Sequence, residues 1–335
     1  MVETKRLGTS ELEVSRVIFG AWAAGGWCWG GADEQTDALA VEAMQAALDE
    51  GMTTIDTAPA YGFGHSERLV GQAVRGRRSE AVIATKCSLI WHKEKGEKFF
   101  DTQDGEGNPR HVYRLLSREN IMREIDASLE NFGTDYVDLY QCHWPDPTTP
   151  LSETMGALVE LLEEGKIRAI GVSNFTPEMI EECRRYGPVH SDQPRYSMLD
   201  RAIDSDLRPY CEANNVGVIV YSPLEYGLLT GKVTMDRQFP DGDHRQSMPW
   251  FGPENRKRAI AFLDGTLGPI AERHGKTLAQ TAINWTLQQP GITSAIVGAR
   301  NPKQVRENAG ATGWALTAEE LSLIGKALDE LDGPG

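Results

Sequence analysis

Asp56 and Tyr61, Lys86, and His143 stand at or just beyond the ends of three short β-branched or apolar runs. Thr53-Thr54-Ile55 leads into Asp56, Ala81-Val82-Ile83-Ala84 into Thr85-Lys86, and Val137-Asp138-Leu139-Tyr140 into Cys142-His143. Together these residue types can do acid–base chemistry. A phenol is a weak acid, with a reference pKa of about 10. A nearby ammonium stabilises the phenolate and lowers that value. A carboxylate beside the lysine keeps it charged and oriented, because an isolated buried ammonium is costly. An imidazole can hydrogen-bond the same oxygen or relay a proton. Such a set suits delivery of a proton to an oxygen that gains negative charge, as carbonyl reduction by hydride requires. Taken singly, each residue has a plainer reading: a helix cap, a solvated charge, a satisfied polar side chain. Their succession at consecutive strand ends carries the expectation. Paired carboxylates such as Asp56 and Asp192 would serve a barrel hydrolase instead, but that reading leaves Tyr61, Lys86 and Gln193 without roles.

These strand ends need a scaffold that gathers them. Helix-period segments alternate along the chain with short apolar runs, and Gly or Asn closes many of the helices, as Gly51 and Gly165 do. Strands separated by helices pair in parallel through right-handed crossovers. With Val17-Ile18-Phe19 and His190-to-Gln193 included, about eight such repeats are present, which predicts a closed (β/α)8 TIM barrel. No linker-like stretch divides the chain, so residues 1–335 are expected to form one domain. In a barrel the C-terminal strand ends converge on one face. Two connections, 88–116 and 224–255, are too long for plain turns and belong over that face. They carry Trp91, Phe99, Phe100, Tyr226, Phe239, Trp250 and Phe251, and an earlier segment adds Trp27 and Trp29. Trp27, Trp29, Trp91, Trp144, Tyr226 and Trp250 are the expected walls of a substrate pocket that contains Tyr61 and His143. Glu225 puts a carboxylate near the same place without an evident task. Thr317 opens a C-terminal helix, with Glu320 completing a capping box.

The chain carries 34 Lys and Arg against 49 Asp and Glu, a net charge of −15. So acidic a surface repels phosphate backbones and anionic lipid, which makes nucleic acid and membrane poor partners. No stretch approaches the about 20 apolar residues that span a bilayer. The first residues lack a signal-peptide apolar core, and the five cysteines show no Cys-x-x-Cys spacing. Reduced thiols and a cytoplasmic location are expected. Gly62-Phe63-Gly64 lacks the third glycine of a dinucleotide fingerprint, and the histidines offer no metal spacing.

Longer motifs carry a resemblance. Asp56-Thr57-Ala58-Pro59-Ala60-Tyr61-Gly62, Thr85-Lys86, Asp138 to Asp146 and Gly165 to Phe175 resemble the aldo-keto reductase pattern. Gln193-x-x-Tyr196-Ser197, Tyr221-Ser222-Pro223-Leu224, Gly227 to Lys232 and Gln304-x-x-Glu307-Asn308 continue it in order, so that it covers residues 6–331. The segments Gly25 to Gly31 and Ala60 to Glu67 look most like the bacterial general-stress and inositol-cluster branch. The resemblance implies a reductase of aldehydes, dicarbonyls or ketones, with Tyr61 as general acid, Lys86 and Asp56 tuning it, and His143 orienting the carbonyl. It also implies a cofactor site. Trp22 and Asp56 would border the nicotinamide, Ser173, Asn174 and Gln193 would meet its amide, and Tyr221 would stack on the ring. Ser222, Pro223, Leu224, Leu229, Gly231 and Lys232 would hold the pyrophosphate, and Gly298, Arg300, Gln304 and Asn308 the adenosine end. Gly298, Ala299 and Gln304 stand where many relatives place 2′-phosphate ligands. Arg300 remains as a local cation and favours NADPH over NADH. A nicotinamide-binding sensor with little turnover is the alternative reading.

Overall fold

The strand–helix alternation closes on itself. The computed structural model describes residues 1–26, 33–239, 243–331 and 333–334. Its strands are β1 (Thr4–Arg6), β2 (Glu13–Ser15), β3 (Val17–Gly20), β4 (Thr54–Asp56), β5 (Val82–Cys87), β6 (Leu89–Ile90), β7 (Glu97–Gln103), β8 (Pro109–Arg114), β9 (Val137–Cys142), β10 (Ile167–Val172), β11 (Ser191–Asp192), β12 (Gly217–Tyr221) and β13 (Ile292–Gly298). The strands β3, β4, β5, β9, β10, β11, β12 and β13 form a closed parallel barrel in that order. This is the predicted (β/α)8 architecture. Around it run α1 (Glu34–Asp49), α2 (His65–Ala73), α3 (Arg118–Phe132), α4 (Leu151–Glu163), α5 (Pro177–Cys183), α6 (Leu207–Ala213), α7 (Pro253–Phe262), α8 (Gly268–Arg273), α9 (Leu278–Gln288), α10 (Pro302–Ala309) and α11 (Ala318–Leu331).

Strand periodicity decides what enters the barrel. Successive side chains point to opposite faces. Along β5, Ala84 belongs to the inner apolar cluster, whereas Ile83 and Cys87 pack in the outer core against helices. Leu139 of β9 lies inside while Tyr140 and Cys142 lie outside. Ile18, Ala169, Ile219 and Ile296 complete the interior, and the antiparallel hairpin β1–β2 inserts Leu7 and Val14 beneath them. The sequence reading missed that hairpin. It packs so close to the barrel floor that a Cβ on Gly8, at φ +52°, would lie 2.2 Å from the His190 carbonyl oxygen.

Helix starts follow local chemistry. Asp33 and Thr36 cap α1 reciprocally, and its buried face is Ala40, Ala43, Met44 and Ala47, while Leu39 is exposed. At α11, the Thr317 amide donates to Glu320 at 3.0 Å and the Glu320 amide to Thr317 Oγ1 at 3.2 Å, the expected box. The first long connection is ordered: β6, β8 and β7 form a small antiparallel sheet. The second is built of short 3-10 turns before α7. Among the described residues, all the cysteines are buried free thiols, no three-ligand metal cluster occurs, and no helix is long and apolar enough to cross a membrane.

One buried carboxyl makes stability depend on pH. Burial pushes Glu124 of α3 up to about 8, against the partial relief of the Ser88 amide that it accepts at 3.0 Å. The folded chain therefore holds a proton that the unfolded chain loses near its ordinary value of about 4.3. This contribution is fully present at acid pH and disappears as pH rises towards about 8. Glu124→Gln lacks it. Its melting temperature relative to the native protein should rise between pH 5 and 8.5, as scanning calorimetry would show; a falling difference would reverse the assignment.

Candidate active site

Asp56, at the end of β4, is 3% exposed and Lys86 of β5 is fully buried. Lys86 Nζ donates to Asp56 Oδ1 at 2.7 Å and to the Thr57 carbonyl at 2.9 Å. The other carboxylate oxygen accepts from Gln193 Nε2 at 2.8 Å and from Gln141 Nε2 at 3.3 Å. The buried pair thus has donors for both oxygens, the condition under which such a pair is tolerated. Gln141 stood within the Asp138 to Asp146 motif but was given no role; its further signal was an amide on the inward register of a strand that is otherwise apolar at Leu139.

Tyr61, on the loop after β4, puts its hydroxyl 3.5 Å from Lys86 Nζ. Its ring meets the His143 imidazole edge-on at 5.8 Å and Trp22 at 6.2 Å. The expected depression of the phenol is overturned. Burial pushes Tyr61 well up, and Asp56 and Tyr226 add to this. The ammonium sits 2.7 Å from the Asp56 carboxylate, whose charge acts on the phenol in the opposite direction. Tyr61 is consequently a firmly protonated donor. Burial, reinforced by Lys86, holds His143 well below the usual imidazole range, so it is neutral. Lys86 itself is lowered by burial, which Asp56 opposes.

A cavity of about 700 Å³ opens over these groups. It is lined by Trp22, Asp56, Tyr61, His143, Trp144, Ser173, Asn174, Gln193, Tyr221, Ser222, Pro223, Leu224, Tyr226, Lys232, Gly298, Arg300, Gln304 and Asn308, all named by the sequence. Strand ends knit its floor. Ser173 Oγ donates to the Gln193 carbonyl at 2.7 Å, and the Tyr221 hydroxyl to Asn174 Oδ1 at 2.9 Å. Asn174 takes φ +62°, a left-handed conformation that Asn tolerates better than most residues.

Several expectations are corrected. Trp250 is 3% exposed and donates from Nε1 to the Leu199 carbonyl at 2.9 Å; it anchors the second long connection instead of lining the cavity. Trp91 packs edge-on against Phe63 at 4.9 Å, also off the cavity. Leu229 is fully buried and Gly231 is exposed at a turn; neither lines the cavity. Trp27 and Trp29 lie outside the described residues. Glu225 is now accounted for: it is buried, ion-paired with Arg195 and hydrogen-bonded by Ser197 at 3.0 Å, which ties down the left-handed turn at Tyr226. Asp192 is fully buried, with Oδ1 3.5 Å from the Phe175 amide, and does not face the cavity. Arg237, His244 and Arg245 line the cavity and were missed. Burial lowers Arg300, the nearby Arg245 guanidinium adds to this, and Asp243 opposes it. The only sequence signal was basic residues in a long connection after a strand.

A phenol backed by a buried ion pair thus stands at the C-terminal mouth of a closed parallel barrel, beside a cavity whose far end carries arginines. The chain belongs to the Aldo/keto reductase family, which matches residues 16–329. An NADH-specific methylglyoxal reductase of Escherichia coli (strain K12) is 40% identical over 332 residues, covering 97% of this chain and 98% of its own. Aldo-keto reductase YhdN of Bacillus subtilis (strain 168) is 38% identical over 330 residues, with 98% and 94% covered. The solved glycerol dehydrogenase AKR11B4 of Gluconobacter oxydans matches with a TM-score of 0.86 at 40% identity, over 98% of this chain and 94% of its own.

Proposed function

We propose that this protein reduces aldehyde or ketone carbonyls to alcohols with NADPH, and that Tyr61 gives the proton. The observation that carries the reading is the buried Asp56–Lys86 pair set 3.5 Å behind the Tyr61 hydroxyl at the floor of the cavity. His143 is neutral and can donate one hydrogen bond to the carbonyl oxygen without competing for the proton. As charge develops on that oxygen, the Tyr61 O–H bond breaks and the new O–H bond forms. The Lys86 ammonium then faces a phenolate that regains its proton from solvent.

The cavity fits a nicotinamide dinucleotide. The Ser173 hydroxyl and the Asn174 and Gln193 amides offer donors and acceptors at one end, with the Tyr221 ring beside them. When bound, the nicotinamide supplies the hydride. Ser222, Pro223, Leu224 and Lys232 form the middle of the groove. Gly298, Arg300, Gln304 and Asn308 surround the far end, where the Arg300 amide donates to Gln304 Oε1 at 2.7 Å. Lys232, Arg237, Arg245 and Arg300 line this cavity in a chain of net charge −15, with Glu307 of the same lining pairing with Lys232 at 3.4 Å and Asp243 pairing with Arg245 at 2.6 Å, so the two further arginines leave this end net basic. That clustering supports a 2′-phosphate ligand. The intact quartet of Asp56, Tyr61, Lys86 and His143 favours turnover over a sensor role.

Arg300→Ala and Arg245→Ala test the cofactor choice. A charge-assisted bond to phosphate is worth about 1.5–3 kcal/mol, so NADPH affinity should fall about 10- to 100-fold while NADH affinity changes little. Fluorescence titration with both cofactors reads this directly. Equal losses for the two would remove the arginines from the 2′-phosphate.

A further inference from the structure

The hairpin β7–β8 breaks its own register beside the cavity. Lys98 pairs with Tyr113 and Phe100 with Val112, so Phe99 is an extra residue bulged between two paired ones. In a regular strand neighbouring side chains point to opposite faces. A bulge re-aims one of them. Here Phe99 and Phe100 both line the cavity. Their rings meet edge-on at 5.2 Å, and Phe99 also packs on Trp144 at 5.2 Å. The Arg114 guanidinium lies over the Phe99 ring at 4.8 Å and is ion-paired with Glu97, which fixes the ring from the hairpin side. Among the described residues, Leu89 and Trp144 complete this wall, which presents no carboxylate, amide or hydroxyl to the cavity.

We propose that the bulged Phe99–Phe100 pair selects carbonyl substrates that bear a flat, uncharged apolar group, such as aryl-substituted aldehydes, over short polyhydroxylated ones. The proposal rests on the carbonyl-reductase reading and assigns that site its substrate class. A planar group gains offset or edge-on ring contacts against this wall beyond its area burial. A polyol placed there loses water from hydroxyls that find no partner on the hairpin side. The carbonyl belongs at Tyr61 and His143, which line the same cavity as this wall.

The test compares 3-phenylpropanal, propanal and glyceraldehyde, which share the aldehyde and differ in what meets the wall. With saturating NADPH, kcat/KM for 3-phenylpropanal should exceed that for propanal by at least about tenfold, with glyceraldehyde below both. F99A/F100A should lower the phenylpropanal-to-propanal ratio at least about tenfold, and Phe100→Tyr should retain it. A ratio cancels any change common to both substrates; if the double variant does not fold, Phe99→Leu carries the comparison. Calorimetric titration of the NADP+-loaded protein, which cannot reduce the aldehydes, should rank 3-phenylpropanal and propanal in the same order. Turnover with a ratio near one, or a ratio the variants leave unchanged, would overturn the proposal alone. Cofactor binding without turnover of these aldehydes would overturn the proposal, and the same silence with a matched set of ketones would overturn the reductase reading.

Discussion

Tyr61→Phe is expected to bind cofactor as the native protein does and to lose about 10²- to 10⁴-fold in kcat. The substitution removes one oxygen and leaves the ring, so the contacts with His143 at 5.8 Å and Trp22 at 6.2 Å persist. What disappears is the donor 3.5 Å from Lys86 Nζ. The remaining side chains do not replace it: His143 is held neutral and Lys86 is committed to Asp56 and the Thr57 carbonyl. The native protein should also keep its reductase rate through neutral pH. Burial raises Tyr61, so the protonated donor persists to alkaline pH. Fluorescence titration and steady-state rates from pH 6 to 10 check both points. Undiminished reduction by Tyr61→Phe would remove the residue from proton transfer.

Lys86→Met should cost about 3–5 kcal/mol of stability as well as turnover. The lysine is fully buried and its charge faces an Asp56 carboxylate at 2.7 Å. Removing it leaves that carboxylate inside the barrel with only the Gln193 and Gln141 amides as partners. Gln193 and Gln141 supply hydrogen bonds but no charge, so the desolvation cost stays largely unmet. A melting temperature lower by about 5 °C or more is expected. The double variant Lys86→Met/Asp56→Leu removes both charges and should recover much of the stability with no recovery of turnover. Such a separation would show that the pair is retained for chemistry at a cost in stability. A single variant that melts like the native protein would show that the carboxylate takes up a proton or water at no cost.

Local pattern along the chain foretold the barrel and the grouping of Asp56, Tyr61, Lys86 and His143, and the reason is locality. Strand and helix periods differ, so Thr54–Asp56, Val82–Cys87 and Val137–Cys142 could be told from the helices between them. In a closed parallel barrel consecutive strand ends lie side by side, so placing Asp56, Lys86 and His143 on neighbouring units already placed them together. Long-range matters were another case. Gln141 reaches Asp56 across the barrel interior, Arg195 meets Glu225 across a turn, and Arg245 joins Arg300 from a separate connection. No spacing along the chain encodes these meetings. The fate of the aromatics depended on packing too: Trp250 turned into the core while a single bulged residue turned Phe99 towards the cavity. Even the sign of the Tyr61 shift was a tertiary result. An isolated ammonium would lower a phenol, but burial raises it, and the carboxylate 2.7 Å from that ammonium adds to the rise.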